Sequence, residues 1–373
     1  MTPKERVQIA MEGGIPPRVP LMCQMSIGHM LLQLGVSPIE FWHDAHVFAD
    51  GLVRLREIYD FDGVLVSLYG HDPDWHCTMT KRSKSPEGET VTWKDGRVLL
   101  YLFDDLPQPL TEDPKLDISE VRDEDLPADL TYIPVSQNLR FAIHSDHKFD
   151  VFHLIRERIG ERYSLHSEIT SPFDYLLDLL GPQAGLLALV TEKERVHNIL
   201  RHFTKLVKNL AREMCGVGVD AIKVSSPFAG AGFISPMHYK EFVLPYEAEI
   251  AQAVRERGVH IYTHTCGAIS DRLEMMFDAG VSGIECLDPP PLGNVELEDA
   301  KVRTRGRGFI KGNVDSVNTL LMGTQQDILE DARHRIMVGK EGGGFIFSTA
   351  CSVAPQVERS KLSLLREAVE RWG

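Results

Sequence analysis

Apolar residues gather along this chain in eight short runs, at 18–23, 63–68, 163–169, 220–225, 259–264, 282–287, 308–312 and 344–349. Several are nearly continuous, such as Val259-His260-Ile261-Tyr262-Thr263 and Phe345-Ile346-Phe347. An unbroken apolar run is the pattern of a parallel strand covered on both faces, whereas a half-solvated strand alternates. Between the runs, stretches such as 192–215, 236–257 and 271–279 space their apolar residues as amphipathic helices do, and 355–372 closes the chain in the same way. Alternating β and α elements with a count of eight predict an α/β fold, the (β/α)8 TIM barrel, with residues 1–373 as a single domain.

One segment does not fit a single strand–helix unit. Within 71–149, Thr90-Val91-Thr92-Trp93 and Arg97-Val98-Leu99-Leu100-Tyr101 flank Lys94-Asp95-Gly96, and Asp-Gly between apolar runs signals a hairpin. The stretch 107–134 is rich in proline and acidic residues and is expected to be irregular. The expectation is an insertion after the second strand, over one end of the barrel, acting either as a lid or as a solvated decoration.

In this fold, chemistry gathers where the C-terminal strand ends converge. Polar residues there include Gln24 after the first run, Tyr69, His71 and His76 after the second, and His166 and Glu168 on the third. Ser225 ends the fourth, His264 and Cys266 the fifth, Glu285 lies on the sixth, Asn313 follows the seventh and Cys351 the eighth. His264 and Cys266, two apart on an extended segment, point to the same side. One imidazole and two thiolates suit Zn²⁺, and three protein ligands leave a fourth position open, as catalytic zinc requires. The alternative is two free thiols and a hydrogen-bonded histidine. Glu168 and Glu285 are candidates for a resting zinc ligand or a proton relay, against carboxylates bonded to loop backbone. Gln24, Tyr69, His71, His76, His166, Ser225 and Asn313 are candidates for substrate contact. Strict alternation turns Cys286 away from Glu285, and Cys23, Cys77 and Cys215 read as core or surface thiols.

Composition narrows the function classes. With 43% hydrophobic and 25% charged residues the chain reads as globular, and its formal charge of −14 disfavours nucleic acid and anionic membrane as partners. Six irregularly spaced cysteines form no disulfide framework, and no apolar run reaches membrane-spanning length. Met1-Thr2-Pro3-Lys4-Glu5 reads as a capped helix start, so a cytoplasmic location is expected. Gly306, Gly308 and Gly312 surround a strand in the wrong order for a dinucleotide loop, and Gly-x-Ser-x-Gly is absent.

The segments 259–266, 308–315, 344–355 and 234–246 together resemble the uroporphyrinogen decarboxylase superfamily, most clearly from about Gly216 onward. That resemblance implies a (β/α)8 barrel and one of two chemistries. The decarboxylases hold a many-carboxylate porphyrinogen with arginines after the first strand and an aspartate after the second. Here 19–53 contains no arginine or lysine, and Ser67-Leu68-Tyr69 offers no aspartate. Buried substrate carboxylates without cations cost several kcal/mol each, on the order of the penalty for an unpaired charge. The other branch holds cobalamin-dependent methyltransferases, including methylcobalamin:coenzyme M enzymes, which bind zinc through His-x-Cys…Cys. His264, Cys266 and Cys351 match that motif. The resemblance therefore implies a zinc-dependent methyltransferase working with a corrinoid (cobalamin) on a partner protein and a small thiol or methylated substrate. A decarboxylase-like lyase and a non-catalytic corrinoid- or tetrapyrrole-binding protein are the alternatives. Ser225-Ser226-Pro227-Phe228-Ala229-Gly230 lacks an aspartate expected in the coenzyme M enzymes, which puts the acceptor in doubt. An exposed barrel helix could pair with a second copy as a homodimer.

Overall fold

The computed structural model describes residues 1–111, 114–135 and 139–373. Its centre is a parallel sheet of seven strands, Gly63–Val66, Ser164–Thr170, Ala221–Ser225, His260–Thr265, Gly283–Cys286, Phe309–Val314 and Phe345–Thr349, each beside the next in chain order. Every residue of Gly283–Cys286, Phe309–Val314 and Phe345–Thr349 is buried, which is why these strands are legible as continuous apolar runs. Helices such as Lys193–Met214, Leu244–Arg255, Gln325–Lys340 and Arg359–Trp372 follow the strands.

The run at 18–23 is a correction to the expected eight strands. It forms no regular strand, only an isolated parallel bridge between Leu21 and Phe347, with a second from Met25 to Val353. Prolines 16, 17 and 20 supply no backbone donor. The Leu21 N–H is instead taken by the Asp62 carboxylate at 2.8 Å, while Asp62 N–H returns to the Leu21 carbonyl at 2.9 Å. Met22 N–H meets the Phe347 carbonyl at 3.0 Å, so this segment joins the two edge strands of the sheet. Arg6 and Arg366 hold Asp62 in place.

Two further differences have local causes. The stretch 236–257 is two helices, Pro236–Phe242 and Leu244–Arg255, because Pro245 cannot donate to the carbonyl four residues back. The chain start is as expected: Thr2 and Glu5 form a capping box on Pro3–Met11. No single helix among the described residues is long and apolar enough to cross a membrane.

Between Val66 and Ser164, Gly88–Trp93 pairs antiparallel with Val98–Leu102 around Lys94-Asp95-Gly96. Met79–Lys84 flanks this pair on the other side, a strand the sequence pattern did not reveal because most of it is exposed. The stretch 107–134 is largely irregular among the described residues, with short pieces at Gln108–Pro109 and Tyr132–Val135.

Candidate metal centre

His264 Nε2, Cys266 Sγ, Cys351 Sγ and Cys286 Sγ form one cluster, with ligand atoms all within 4.8 Å of one another. Cys266 and Cys351 sulfurs lie 3.7 Å apart, and His264 Nε2 is 3.3 Å from Cys266 Sγ. Zn–S bonds of about 2.3 Å in a tetrahedron give a sulfur–sulfur edge of about 3.8 Å. The donor set therefore fits zinc in both chemistry and spacing.

Each donor is placed by its own local structure. His264 stands near the end of His260–Thr265, and its Nδ1 faces Glu285 Oε2 at 2.9 Å, which leaves Nε2 for a metal. Past Cys266 the chain turns at Gly267, where φ is +74° and the N–H meets Asp288 at 2.7 Å. The Cys351 backbone is clamped by Ser316, whose hydroxyl donates to its carbonyl and accepts its N–H at 3.1 and 3.2 Å. The surrounding Cys266, Cys286 and His264 hold the Cys351 thiol well below its ordinary range despite burial.

Cys286 is the clustered donor that the alternation rule missed. That rule presumes extended backbone, but Cys286 has φ +88° and Leu287 φ +57°, both in the region that side chains avoid. The turn brings the Cys286 sulfur round to the cluster, 3.1 Å from Asp288. Non-glycine residues held there cost of order 1–3 kcal/mol and concentrate at functional sites.

Beneath the donors lies a buried ionic network. Glu285, 1% exposed, faces Lys311 as well as His264, and its second oxygen lies 3.5 Å from Lys223. Lys223 reaches Glu168 at 2.9 Å and donates to Gln24 Oε1 at 2.7 Å. Strand register makes these meetings: Glu168 pairs with Lys223, His264 with Glu285, and Glu285 with Lys311. Burial would lift the Glu285 carboxyl, but Lys311, Lys223 and His264 overcome it and hold it well below the usual carboxylate range.

The centre opens into a cavity of about 530 Å³ at the C-terminal strand ends, lined by Gln24, Glu168, Ser225, His264, Cys266 and Cys351 among others. Trp42, Leu68, Leu106, Ile133 and Phe228 supply an apolar wall. No lysine or arginine stands among its described lining residues, and the inserted segment contributes Asp105, Leu106 and residues 133–135. A larger cavity of about 720 Å³ lies at the opposite strand ends, but its lining holds none of the clustered donors.

The other expected contact residues fall elsewhere. His166 is fully buried, its nitrogens taken by Tyr262 and Ser164 hydroxyls at 3.1 and 3.0 Å, and burial lowers its pKa to about 3. Asn313 donates to the Leu287 carbonyl and accepts from Arg335. Tyr69 is buried with its ring against Phe152. His71 lines a separate cavity beside Phe48 and Phe141, and His76 is exposed near Asp74 and Cys77.

Two carboxyls that the sequence reading passed over, Asp174 and Glu247, are buried close together, and burial pushes each up to about 7. An acid whose folded pKa is raised contributes most stability below its unfolded pKa and loses it as pH rises to the folded value. Wild type is therefore expected to lose stability relative to Glu247→Gln between pH 5 and pH 8, by about 3 kcal/mol at most. Urea unfolding of both proteins across that range measures it; a pH-independent difference would contradict the raised acid.

With fold and centre in view, the chain is a parallel α/β fold with a His/Cys donor cluster beside a cavity at the C-terminal strand ends. Residues 117–372 match the uroporphyrinogen decarboxylase (URO-D) family, and the chain belongs to it. The methylcobamide:CoM methyltransferase MtbA of Methanosarcina acetivorans is 25% identical over 219 residues, 59% of this chain and 61% of that protein. Uroporphyrinogen decarboxylase of Mycobacterium leprae is 28% identical over 186 residues, 48% of this chain and 50% of that protein. The chain thus spans about six tenths or less of the length of these curated relatives. A solved methyltransferase from Methanosarcina mazei shares the fold, with TM-score 0.74 over 100% of this chain and 99% of that chain, at 18% identity.

Proposed function

We propose that this protein is a zinc-dependent methyltransferase moving a methyl group between a corrinoid, carried on a partner protein, and a small thiol or methylated substrate in the cavity. The observation that carries the reading is the set of four donors within 4.8 Å of one another, three of them lining a cavity whose described lining has no lysine or arginine. The methyltransferase relative supports the same branch. A decarboxylase handling a many-carboxylate tetrapyrrole needs cations in that lining, which makes it the weaker reading.

His264, Cys266 and Cys351 would hold the metal, with Cys286 as the fourth ligand at rest. Bound there, zinc supplies a Lewis acid for the heteroatom that exchanges the methyl. Glu285 fixes the His264 ring so that Nε2 faces the cluster. Lys223 ties Glu168 and Gln24 into the cavity floor. We read the seven strands and the Leu21 segment as a (β/α)8 barrel forming one domain. The 71–149 insertion serves as a cover, because it supplies part of the cavity wall. Six unpaired cysteines suit a reducing, cytoplasmic setting.

Activity is tested with zinc-loaded protein and either methylcobalamin plus a panel of thiols or cob(I)alamin plus methylated compounds, followed by corrinoid absorption. Turnover in either direction supports the proposal; none, with carbon dioxide released from a tetrapyrrole, overturns it. The ligand count has its own readout. Cobalt(II) in place of zinc should give thiolate-to-metal absorption that falls by about one third in Cys286→Ala, since three thiolates become two. Unchanged intensity would remove Cys286 from the ligand set.

A further inference from the structure

Two buried carboxyl groups, one lining the cavity and one behind it, stand outside the lysine network. Asp174, on Pro172–Leu180, lines the cavity and is 6% exposed. Glu247, on Leu244–Arg255, is 1% exposed and lies close enough to Asp174 to raise it. The Ser226 hydroxyl lies near enough to both carboxyls to offset part of their rise, without a hydrogen bond to either. Asp174 also meets the Ser171 hydroxyl and the Phe228 backbone, while Glu247 accepts from Thr263 at 3.3 Å and lies near the Tyr239 phenol. Glu247 Oε1, Ser226 Oγ and the Tyr239 hydroxyl are buried without a hydrogen-bond partner among the described residues. No ion pair among the described residues joins either carboxyl, whereas Glu168 and Glu285 each face a lysine. One cavity is thus lined both by Glu168, which faces a lysine, and by Asp174, which is buried with no cation beside it, so that burial favours its neutral acid. Such divergent environments separate acid from base roles.

We propose that Asp174 is the general acid of this site, protonating the oxygen that a methyl ether leaves behind, with Ser226 and Glu247 as positioning groups. This rests on the methyltransfer reading and gives it a substrate class and a direction. A thiol acceptor must lose a proton, which a protonated carboxyl cannot accept. A quaternary amine leaves as a neutral amine and needs no proton. An ether leaves as an alkoxide or phenoxide and does need one. The apolar wall and its lack of cations suit an uncharged ether. In the step, the C–O bond breaks with its electron pair going to oxygen. The methyl carbon bonds to a Co(I) corrinoid through the metal's electron pair, formally giving Co(III). The Asp174 proton goes to oxygen, yielding the alcohol or phenol and an Asp174 carboxylate.

The test compares wild type with Asp174→Asn on zinc-loaded protein with cob(I)alamin and methyl ethers of graded leaving-group basicity. Asn should slow alkyl methyl ethers by roughly a hundredfold or more and electron-poor aryl methyl ethers by less than about tenfold. Equal slowing across the series would mean that Asp174 only shapes the cavity, and would overturn the proposal. Asp174 also takes part in the Ser171 helix cap, so infrared difference spectra provide a readout independent of turnover. A protonated-carboxyl band at pH 6 is expected in wild type and in Glu247→Gln, and its Asp174 component should fade at lower pH in Glu247→Gln. Its absence in wild type would overturn the proposal. Thiol methylation without ether demethylation would also overturn it, while leaving the methyltransferase reading standing. No corrinoid turnover in either direction would remove both.

Discussion

Replacing Glu285 with alanine is expected to destabilise the zinc-free protein by about 3–5 kcal/mol, the cost of leaving a buried charge without its partner. Lys311 is 1% exposed and Lys223 fully buried, and both face this one carboxylate. Lys223 keeps Glu168 at 2.9 Å, so Lys311 bears most of the loss. Urea unfolding measures it, and adding Lys311→Met should recover part of the stability by removing the stranded charge. The same substitution frees His264 Nδ1, and outer-shell changes of this kind weaken zinc by about 10–100-fold. A Glu285→Ala protein as stable as wild type would mean that the network contributes nothing to the sheet interior.

Cys351→Ala is expected to abolish methyl transfer while leaving the fold intact. Cys351 follows the last strand at the cavity mouth and is only partly buried, so its removal leaves little unfilled volume. Zinc-free stability should change by less than about 1 kcal/mol. His264, Cys266 and Cys286 remain as donors, yet zinc affinity should fall by more than about a hundredfold, beyond the usual cost of an outer-shell change. Cys215→Ala should change neither, because Cys215 lies outside the donor cluster.

The parts of this molecule that the sequence discloses are those governed by local pattern. Parallel strands buried on both faces are apolar throughout, so Phe309–Val314 and Phe345–Thr349 announce themselves. The i, i+2 placement of His264 and Cys266 on an extended segment is equally local. Where the pattern breaks, reading fails. Prolines turn the first run into a bridged segment, and a positive φ carries Cys286 to the face that alternation denied it. Lys223 and Lys311 lie inside apolar strands, and only cross-strand register reveals that they meet Glu168 and Glu285. His166 and Asn313 look chemical in sequence but satisfy neighbouring hydroxyls and backbone in the core. Asp174, three residues past Ser171 at a helix start, reads as capping alone, and nothing local tells of Glu247 beside it.

The most direct test of the account is zinc content by elemental analysis after loading and dialysis against a chelator, for wild type beside Cys351→Ala. The account predicts one zinc per chain in wild type and almost none in the variant. Equal zinc in both, or none in wild type, would contradict it.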